Sequence, residues 1–325
     1  MEDLLERFNG LKALVVGDVM IDAYTKGVVE RMSPEAPVPI VSQCDHFERL
    51  GGAANVALNL KALGAEPVIC SIVGNDEAGR TFLKLMQEQG LEVAGVVSSN
   101  ARRTTVKHRV LNGDRQLLRI DEEDTFDLTE TEHSILAFVL RRFLEQKSVD
   151  VVLLQDYNKG VLTEKLIREV ISLCQERSLP VVVDPKKKNF FAYQGVTLFK
   201  PNAKELREGL GVTAETPEEL QQAMLTLQQR IHCEYLMVTL SDKGVMMLHE
   251  VVFHHLPAHP RNIVDVSGAG DTVLSVAALC VALKAAPESI ASLSNIAGGL
   301  VCEEVGVVPI DKGKFAEEVN RICHG

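Results

Sequence analysis

The segment Asp265 to Thr272 places carboxylates and glycines directly before an apolar helical run, Val273 to Leu283. Its residues Gly268 to Gly270 can turn successive backbone N–H groups toward a phosphate, and the positive end of the helix dipole adds to that attraction. Beside such a cradle, Asp271 could take a proton from an attacking hydroxyl. The alternative is an ordinary helix start in which Asp271 serves the first turn.

Two other segments carry residues of the same kind. Gly51 to Ala57 is a second glycine-led helix entry, and Gly17 to Asp22 lies at the end of the first predicted strand. Together with Asp265 to Thr272 they resemble the ribokinase/phosphofructokinase-B family of carbohydrate kinases, which has a glycine-led helix start and a late D-x-x-GAGD motif. The family's usual Thr before GAGD is Ser267 here, which keeps the hydroxyl. The resemblance covers nearly the whole chain and implies a ribokinase-like fold.

The resemblance implies a role for each matching residue on the acceptor side. Asp271 would be the catalytic base. The anion hole for the transferring γ-phosphoryl group of ATP would consist of Gly268, Ala269 and Gly270. The sugar hydroxyls would be held by Asp22, Gly52 and Asn55.

The nucleotide side is implied in the same way. Asn202 and Glu205 match the family's N-x-x-E motif, whose i, i+3 spacing places both side chains on one helical face for hydrated Mg²⁺ and phosphate. The same pair could form a helix capping box, and both roles can hold together. The nucleotide would also contact a strand and turn at Thr239, Ser241 and Gly244, and a late helix at Asn295.

The segment Arg102 to Arg119 carries six basic residues against one acidic residue, a local charge of +5 in a chain of net charge −11. Strand alternation predicts that Lys107 and Arg109 share one face. It likewise predicts that Arg115 and Arg119 share a face. A phosphate carried by the acceptor would be a natural partner for Lys107, Arg109 and Arg119. The alternative is that these charges protect exposed sheet edges from aggregation.

Three further strings resemble one branch of that family, the D-glycero-β-D-manno-heptose 7-phosphate 1-kinases. They are Ser33 to Pro39, Asp156 to Gly160 and Asp184 to Lys186. In that branch the γ-phosphoryl group of ATP moves to the anomeric hydroxyl of a heptose 7-phosphate, on the route to ADP-heptose for lipopolysaccharide cores. Many members continue into a nucleotidyltransferase domain marked by an H-x-G-H motif, which this sequence does not contain. We therefore expect the kinase activity alone.

Four residues in these strings are candidate ligand-binding residues, and each could instead have a structural or solvent-exposed role. Asp156 and Asp184 end two consecutive predicted strands and would point into the ligand crevice, where either could assist the contacts to the metal or to the substrate hydroxyls. Asp156 is the one predicted to bind the substrate. A capping or turn role is as plausible for both. Lys186, slightly ahead of Lys159, could meet phosphate oxygens as a point charge, although solvated surface lysines are commoner.

Short apolar runs rich in β-branched residues alternate with segments of helical periodicity, which predicts a parallel sheet with crossover helices. The predicted strands are Lys12 to Gly17, Pro67 to Gly74, Asp150 to Gln155, Pro180 to Asp184, Val196 to Lys200 and Tyr235 to Leu240. The predicted helices include Glu77 to Gln89, Thr129 to Gln146, Thr163 to Arg177 and Pro217 to Arg230. We expect an α/β, doubly wound, mostly parallel sheet with helices on both faces.

Two stretches interrupt this alternation. Val28 to Gln43 and Thr104 to Ile120 look extended and have no adjoining crossover helix. They predict a small inserted sheet, with strands from about 23–48 and 102–121, that forms a lid over the carboxyl ends of the main strands. We expect one kinase domain over residues 1–325 and a homodimer formed through the exposed lid strands.

Composition excludes several other classes. With 34 Lys and Arg against 45 Asp and Glu, no nucleic-acid partner is expected. The longest apolar run, near Val273 to Leu283, is shorter than a membrane span, so no membrane partner is expected. Seven cysteines without a CxxC pair indicate neither a zinc site nor a disulfide framework, and favour a reducing cytoplasm.

We therefore predict a cytoplasmic, ATP- and Mg²⁺-dependent kinase of a small-molecule sugar phosphate, most specifically heptose 7-phosphate. A kinase of the same family for another sugar or sugar phosphate is the nearest alternative. A catalytically silent ligand-binding protein on the same fold is a further one. A dinucleotide-dependent oxidoreductase is disfavoured because no G-x-G-x-x-G follows the first predicted strand.

Overall fold

The computed structural model describes residues 2–146 and 148–324. Its strands are β1 (Lys12–Gly17), β2 (Val19–Met32), β3 (Pro39–Gly52), β4 (Glu66–Gly74), β5 (Val96–Ser99), β6 (Val106–Asn112), β7 (Arg115–Glu122), β8 (Val151–Gln155), β9 (Val181–Asp184), β10 (Leu198–Phe199), β11 (Tyr235–Thr239), β12 (Val245–His249) and β13 (Val252–Leu256). Its helices are α1 (Glu2–Glu6), α2 (Ala53–Ala62), α3 (Glu77–Glu88), α4 (Glu130–Gln146), α5 (Glu164–Glu176), α6 (Ala203–Leu210), α7 (Pro217–Ile231), α8 (Ala269–Ala282), α9 (Pro287–Val301) and α10 (Lys312–His324).

The main sheet has nine strands in the order β13-β12-β11-β10-β9-β8-β1-β4-β5. The strands from β11 to β5 run parallel, which confirms the predicted mostly parallel sheet. The edge formed by β12 and β13 is antiparallel and was not predicted from the sequence. The predicted strand Val196 to Lys200 is longer than the observed strand β10, which spans Leu198–Phe199.

Helices cover both faces of this sheet. The strand side chains alternate between two cores, so that Val15 of β1 packs on one side and Leu14 and Val16 pack on the other. One core is formed with α2, α8 and α9, and the other with α4, α5 and α7. Burial on both faces explains why the strands are apolar runs without polar alternation.

A second, four-stranded sheet is built from the two stretches that look extended in the sequence. Its order is β3-β2-β6-β7, and β2 and β3 are joined by a turn between Met32 and Pro39. We call it the small sheet. Through β2 and β3 it connects the end of β1 directly to the start of α2.

One predicted face assignment in the small sheet is wrong. The pairing between β6 and β7 shifts register at Val110 and Leu111, so that Arg119 lies opposite Arg109 whereas Arg115 lies opposite Asn112. Directly paired residues share a face of the sheet. Arg109 and Asn112 are three residues apart on β6, so they lie on opposite faces. Arg115 and Arg119 are therefore on opposite faces, because the bulge breaks the alternation that the sequence prediction assumed.

In the described ranges, none of the helices combines the length and apolar character needed to cross a membrane.

Candidate active site

Asp271 lies in the first turn of α8 with its side chain buried. Its Oδ2 accepts a hydrogen bond from Nδ2 of Asn55 at 2.7 Å. Its Oδ1 accepts hydrogen bonds from the Tyr157 hydroxyl at 2.7 Å and from Nε2 of Gln155 at 3.2 Å. Burial raises the pKa of Asp271 to about 6, although the donors Asn55 and Tyr157 oppose that rise. Such a carboxylate is mostly ionised at neutral pH and can accept a proton.

The start of α8 is the segment predicted to form an anion site. Gly268 is the N-cap residue with φ +81°, a left-handed conformation that glycine adopts without strain. The first N–H groups of a helix have no acceptor within the helix, so Ala269 and Gly270 begin a positively polarised end. A Cβ atom on Gly270 would lie 3.7 Å from Oδ2 of Asp184 and 3.8 Å from Nζ of Lys200. A buried lysine therefore lies close to this helix start.

The start of α2 carries two of the residues predicted to bind the sugar, Gly52 and Asn55. Gly52 is its N-cap with φ +62°, and a Cβ atom there would lie 2.4 Å from the carbonyl oxygen of Asp18. This turn places Asn55 one turn into α2, where it reaches Asp271. The buried carboxylate of Asp22 forms an ion pair with Arg109 in the small sheet. Of the predicted sugar-binding residues, Asn55 contacts Asp271 and Asp22 contacts Arg109, and their contact with a sugar stays a prediction.

A loop after β8 is fixed by a buried carboxylate that the sequence prediction did not assign. The two carboxylate oxygens of Asp18 accept hydrogen bonds from the backbone N–H groups of Tyr157 at 2.8 Å, Lys159 at 3.0 Å and Val161 at 3.0 Å. The loop also contains Asn158 with φ +56°. Asp18 therefore holds the backbone that carries Tyr157 against the base.

A chain of alternating charges leads from α8 to the start of α6. Nζ of Lys200 lies 2.9 Å from Asp184, and Nζ of Lys186 lies 3.3 Å from Asp184 and 2.5 Å from Glu205. Burial alone would lower the pKa of Lys186, but the carboxylates of Asp184 and Glu205 raise it. Glu205 and Asn202 form a reciprocal capping box, so the alternative weighed for this pair is present. These groups lie together at the carboxyl ends of the strands.

The remaining predicted nucleotide residues lie at the antiparallel edge of the main sheet. Thr239 ends β11 and forms an isolated bridge with Asn202. Ser241 begins a short 3₁₀ turn that Gly244 follows, and both residues have positive φ. Asn295 of α9 donates to the carbonyl oxygen of Pro257 at 2.9 Å, just after β13. Their contact with a nucleotide stays a prediction.

The candidate phosphate ligands of the small sheet, Lys107, Arg109 and Arg119, each form an ion pair with an acidic neighbour. Lys107 lies 3.0 Å from Asp121 and 3.4 Å from Glu123, and Arg119 lies 2.8 Å from Asp121. The local charge of +5 was counted up to Arg119, and the acids that offset it follow directly in sequence. The cluster is thus less positive than the sequence segment suggested.

Lys159 and Asp156, both candidates in the sequence, have protein partners. Lys159 lies 2.6 Å from Glu123. Asp156 is buried, and its oxygens accept hydrogen bonds from the Tyr193 hydroxyl and the Asn158 backbone, each at 2.7 Å. Burial and the charge of Asp18 raise the pKa of Asp156 to about 6. The turn role weighed for Asp156 is present, and its contact with substrate stays a prediction.

The sequence between the two glycine-led helix starts and beyond them matches a known protein family. The family described as pfkB family carbohydrate kinase matches residues 11–312, which contain both glycine-led helix starts. The chain belongs to the pfkB family of carbohydrate kinases. It is therefore a sugar kinase, as the motifs predicted.

Relatives of this pfkB-family chain include two bacterial proteins described as bifunctional protein HldE. The one from Syntrophotalea carbinolica is 38% identical over 321 residues, covering 98% of this chain and 64% of the relative. The one from Mesorhizobium japonicum is 37% identical over 302 residues, covering 93% of this chain and 60% of the relative. The chain thus spans less than two thirds of the length of these relatives.

Solved structures confirm the predicted ribokinase-like fold. The crystal structure of phosphofructokinase-2 from Escherichia coli in complex with potassium superimposes with a TM-score of 0.79 at 18% identity, covering 96% of this chain and all of that one. Arabidopsis thaliana ribokinase complexed with ribose and ATP gives a TM-score of 0.73 at 18% identity, covering 95% of this chain and 99% of that one.

Sequence reasoning missed several residues that surround Asp271. Tyr157 lies inside a string noted only as a branch resemblance, and Gln155 and Lys200 lie at the ends of strands. A polar residue at the carboxyl end of a buried strand is the signal that was available, because such ends meet at the ligand crevice of a parallel sheet.

Proposed function

We propose that this sugar kinase transfers the γ-phosphoryl group of ATP to the anomeric 1-hydroxyl of D-glycero-β-D-manno-heptose 7-phosphate, forming the 1,7-bisphosphate. The observation that carries the proposal is the buried carboxylate of Asp271 at the start of a glycine-led helix, in contact with Asn55. The strings that resemble the heptose 7-phosphate 1-kinases support the choice of acceptor. The product would serve ADP-heptose formation for lipopolysaccharide cores.

In the proposed reaction Asp271 accepts the proton of the acceptor hydroxyl while the acceptor oxygen bonds to the γ-phosphorus and ADP leaves. Asn55, Asp22 and the backbone at Gly52 orient the sugar. The N–H groups at Gly268 to Gly270, with Lys200 nearby, stabilise negative charge on the transferring group. The barrier falls mainly through positioning and electrostatic stabilisation, as in other phosphoryl transfers.

The residues at the start of α6 fit a hydrated Mg²⁺ ion. Glu205 supplies a carboxylate and Asn202 an amide oxygen, which are the hard oxygen donors that Mg²⁺ prefers. Because this set is small, it suits an ion that keeps several waters and binds mainly to nucleotide phosphates. When bound, the ion would neutralise phosphate charge, and Lys186, paired with Glu205, would lie beside it.

We further propose that the small sheet is the lid of a single kinase domain and binds the acceptor phosphate. Lys107, Arg109 and Arg119 are the candidate ligands, and a bound phosphate would exchange with the carboxylates that pair with them now. Exclusion of water by the closed sheet would prevent wasteful ATP hydrolysis.

We also propose a cytoplasmic homodimer formed through the small sheet. Leu118 is 54% exposed and Ile120 is 46% exposed, and their pairing with Val110 and His108 puts them on the face opposite Arg109. Apolar side chains on an exposed sheet face are suited to contact with a second copy.

A coupled ADP-release panel tests the proposal. It compares heptose 7-phosphate with hexose phosphates, ribose and nucleosides at saturating Mg-ATP. We expect the highest kcat/KM with heptose 7-phosphate. Activity confined to unphosphorylated sugars would overturn heptose 7-phosphate as the proposed acceptor. A preference for another sugar phosphate would support the proposed phosphate-binding site but not the heptose. No ADP release with any compound would favour a non-catalytic ligand-binding protein.

A further inference from the structure

The two oxygens of Asp271 are not equivalent. A carboxylate oxygen can accept about two hydrogen bonds in the plane of the group. Oδ1 already accepts two, from the Tyr157 hydroxyl at 2.7 Å and from Gln155 at 3.2 Å. In the part of the chain that the structure describes, Oδ2 accepts one, from Asn55 at 2.7 Å. Oδ2 therefore has room for a further donor and Oδ1 does not.

Contacts of its backbone and its ring hold Tyr157 where its hydroxyl donates to Oδ1. Its backbone N–H is fixed by Asp18 at 2.8 Å, and its ring lies with the Lys186 ammonium 5.7 Å from the ring centroid. Burial and the charge of Asp271 raise the pKa of Tyr157, so its hydroxyl keeps its proton and donates. Its position is thus set from both ends by groups outside the acceptor pocket.

We propose that Tyr157 is a positioning residue that blocks Oδ1 of Asp271 and thereby directs the acceptor's proton to Oδ2, beside Asn55. The inference rests on the proposed function, because it takes Asp271 as the base. As the acceptor oxygen bonds to the γ-phosphorus and the bond from phosphorus to the bridging oxygen breaks, the hydroxyl proton moves to Oδ2. The O–H electron pair stays on the acceptor oxygen, and the pair of the broken bond leaves with ADP.

Two charged groups affect the pH at which Asp271 ionises. The charged groups that face Asp271 are Asp184, which raises its pKa, and Lys200, which lowers it. Neither changes when the Tyr157 hydroxyl is removed. Loss of that donor should therefore raise the pKa of Asp271, and the acid limb of activity should move to higher pH.

The test compares Tyr157→Phe with Tyr193→Phe over pH 5 to 9, by coupled ADP release with heptose 7-phosphate. Tyr193 is a matched control, because its buried hydroxyl donates at the same 2.7 Å to a different carboxylate, Asp156. For Tyr157→Phe we expect the acid limb to rise by about one pH unit and kcat to fall about tenfold, with the KM for ATP unchanged. Tyr193→Phe removes a donor from Asp156 and none from the base, so its acid limb should move less than that of Tyr157→Phe. Titration of the substrates is common to all variants and cancels in the comparison.

A second variant tests the same effect in case Tyr157→Phe does not fold. Gln155→Met removes the weaker donor to Oδ1 and should move the limb in the same direction by less. An unmoved limb in Tyr157→Phe, or equal shifts in both tyrosine variants, would overturn the inference. The proposed base fails separately, if Asp271→Asn keeps its turnover.

Discussion

At the scale of single residues, the candidate base is held between opposing effects. Burial makes ionised Asp271 less stable, and the donors around it compensate in part, so that its pKa rises only to about 6. A lower value would make a poor base, and a much higher one would leave the carboxyl protonated at neutral pH. The polar groups around Asp271 therefore tune its basicity as well as its position.

Asp271→Asn should lower kcat by about 10²- to 10⁴-fold, because the amide cannot accept the acceptor's proton. ATP binding should be nearly unchanged, since the groups proposed to contact the phosphates at the start of α8 are backbone N–H groups. ADP release and ATP titration calorimetry measure the two effects. Asp114→Asn, at a side chain 68% exposed, is the control that should behave as the parent. Near-parental turnover of Asp271→Asn would remove it as the base.

At the scale of secondary structure, the start of α8 depends on one backbone conformation. Gly268 has φ +81°, and an added Cβ atom would lie 3.0 Å from Nδ2 of Asn55. The same position therefore sets both the N–H groups of the helix end and the amide that holds Asp271.

Gly268→Ala should lower the free energy of unfolding by about 1–2 kcal/mol, the cost of a left-handed alanine, and should lower kcat about tenfold or more. Gly211→Ala is the matched control, because Gly211 has φ +69° with nothing within 4 Å of its added Cβ. It should lose similar stability in urea unfolding and keep its kcat. Equal kcat in the two variants would contradict the importance of this helix start.

The bulge in β7 places Arg115 on the opposite face of the small sheet from Arg109 and Arg119. Arg109 lies on the face with Asp22, and Arg115 lies on the opposite face. Arg109→Ala should raise the KM for phosphorylated acceptors by about tenfold or more while the KM for ATP stays constant, because a charge-assisted contact to phosphate is lost. Arg115→Ala should change neither. If Arg109→Ala weakens unphosphorylated sugars equally, Arg109 serves only to hold Asp22.

At the scale of the whole molecule, the sequence predicted the parallel sheet, the covering helices and the extended segments of the small sheet. Apolar runs and glycine-led helix starts are local signals, so they can be read without coordinates. The antiparallel edge, the β7 bulge and the contacts of Lys107 and Arg119 depend on strand pairing, which local pattern does not encode. The sequence named Asn55 as a candidate site residue, but it did not place Asn55 or Tyr157 against Asp271, because all three residues are distant in sequence.

The proposed dimer can be tested on the face of the small sheet that carries Leu118 and Ile120, opposite Arg109. Leu118→Asp places a charge among exposed apolar side chains and should convert a dimer into a monomer in light scattering coupled to size-exclusion chromatography. Phe138→Asp on α4, at a side chain 68% exposed, is the control that should leave the mass unchanged. A monomeric parent protein, or a dimeric Leu118→Asp, would show the proposed interface to be wrong.

The hydrogen bond between Asn55 and Asp271 joins residues 216 positions apart. A ribosome that adds about 5–20 residues per second releases Asp271 roughly 10–40 s after Asn55. During that interval Asn55 lacks its partner Asp271, and so does Tyr157 from the moment it is made. The kinase therefore acquires its chemistry late in synthesis, when α8 docks onto a sheet whose earlier strands have already emerged.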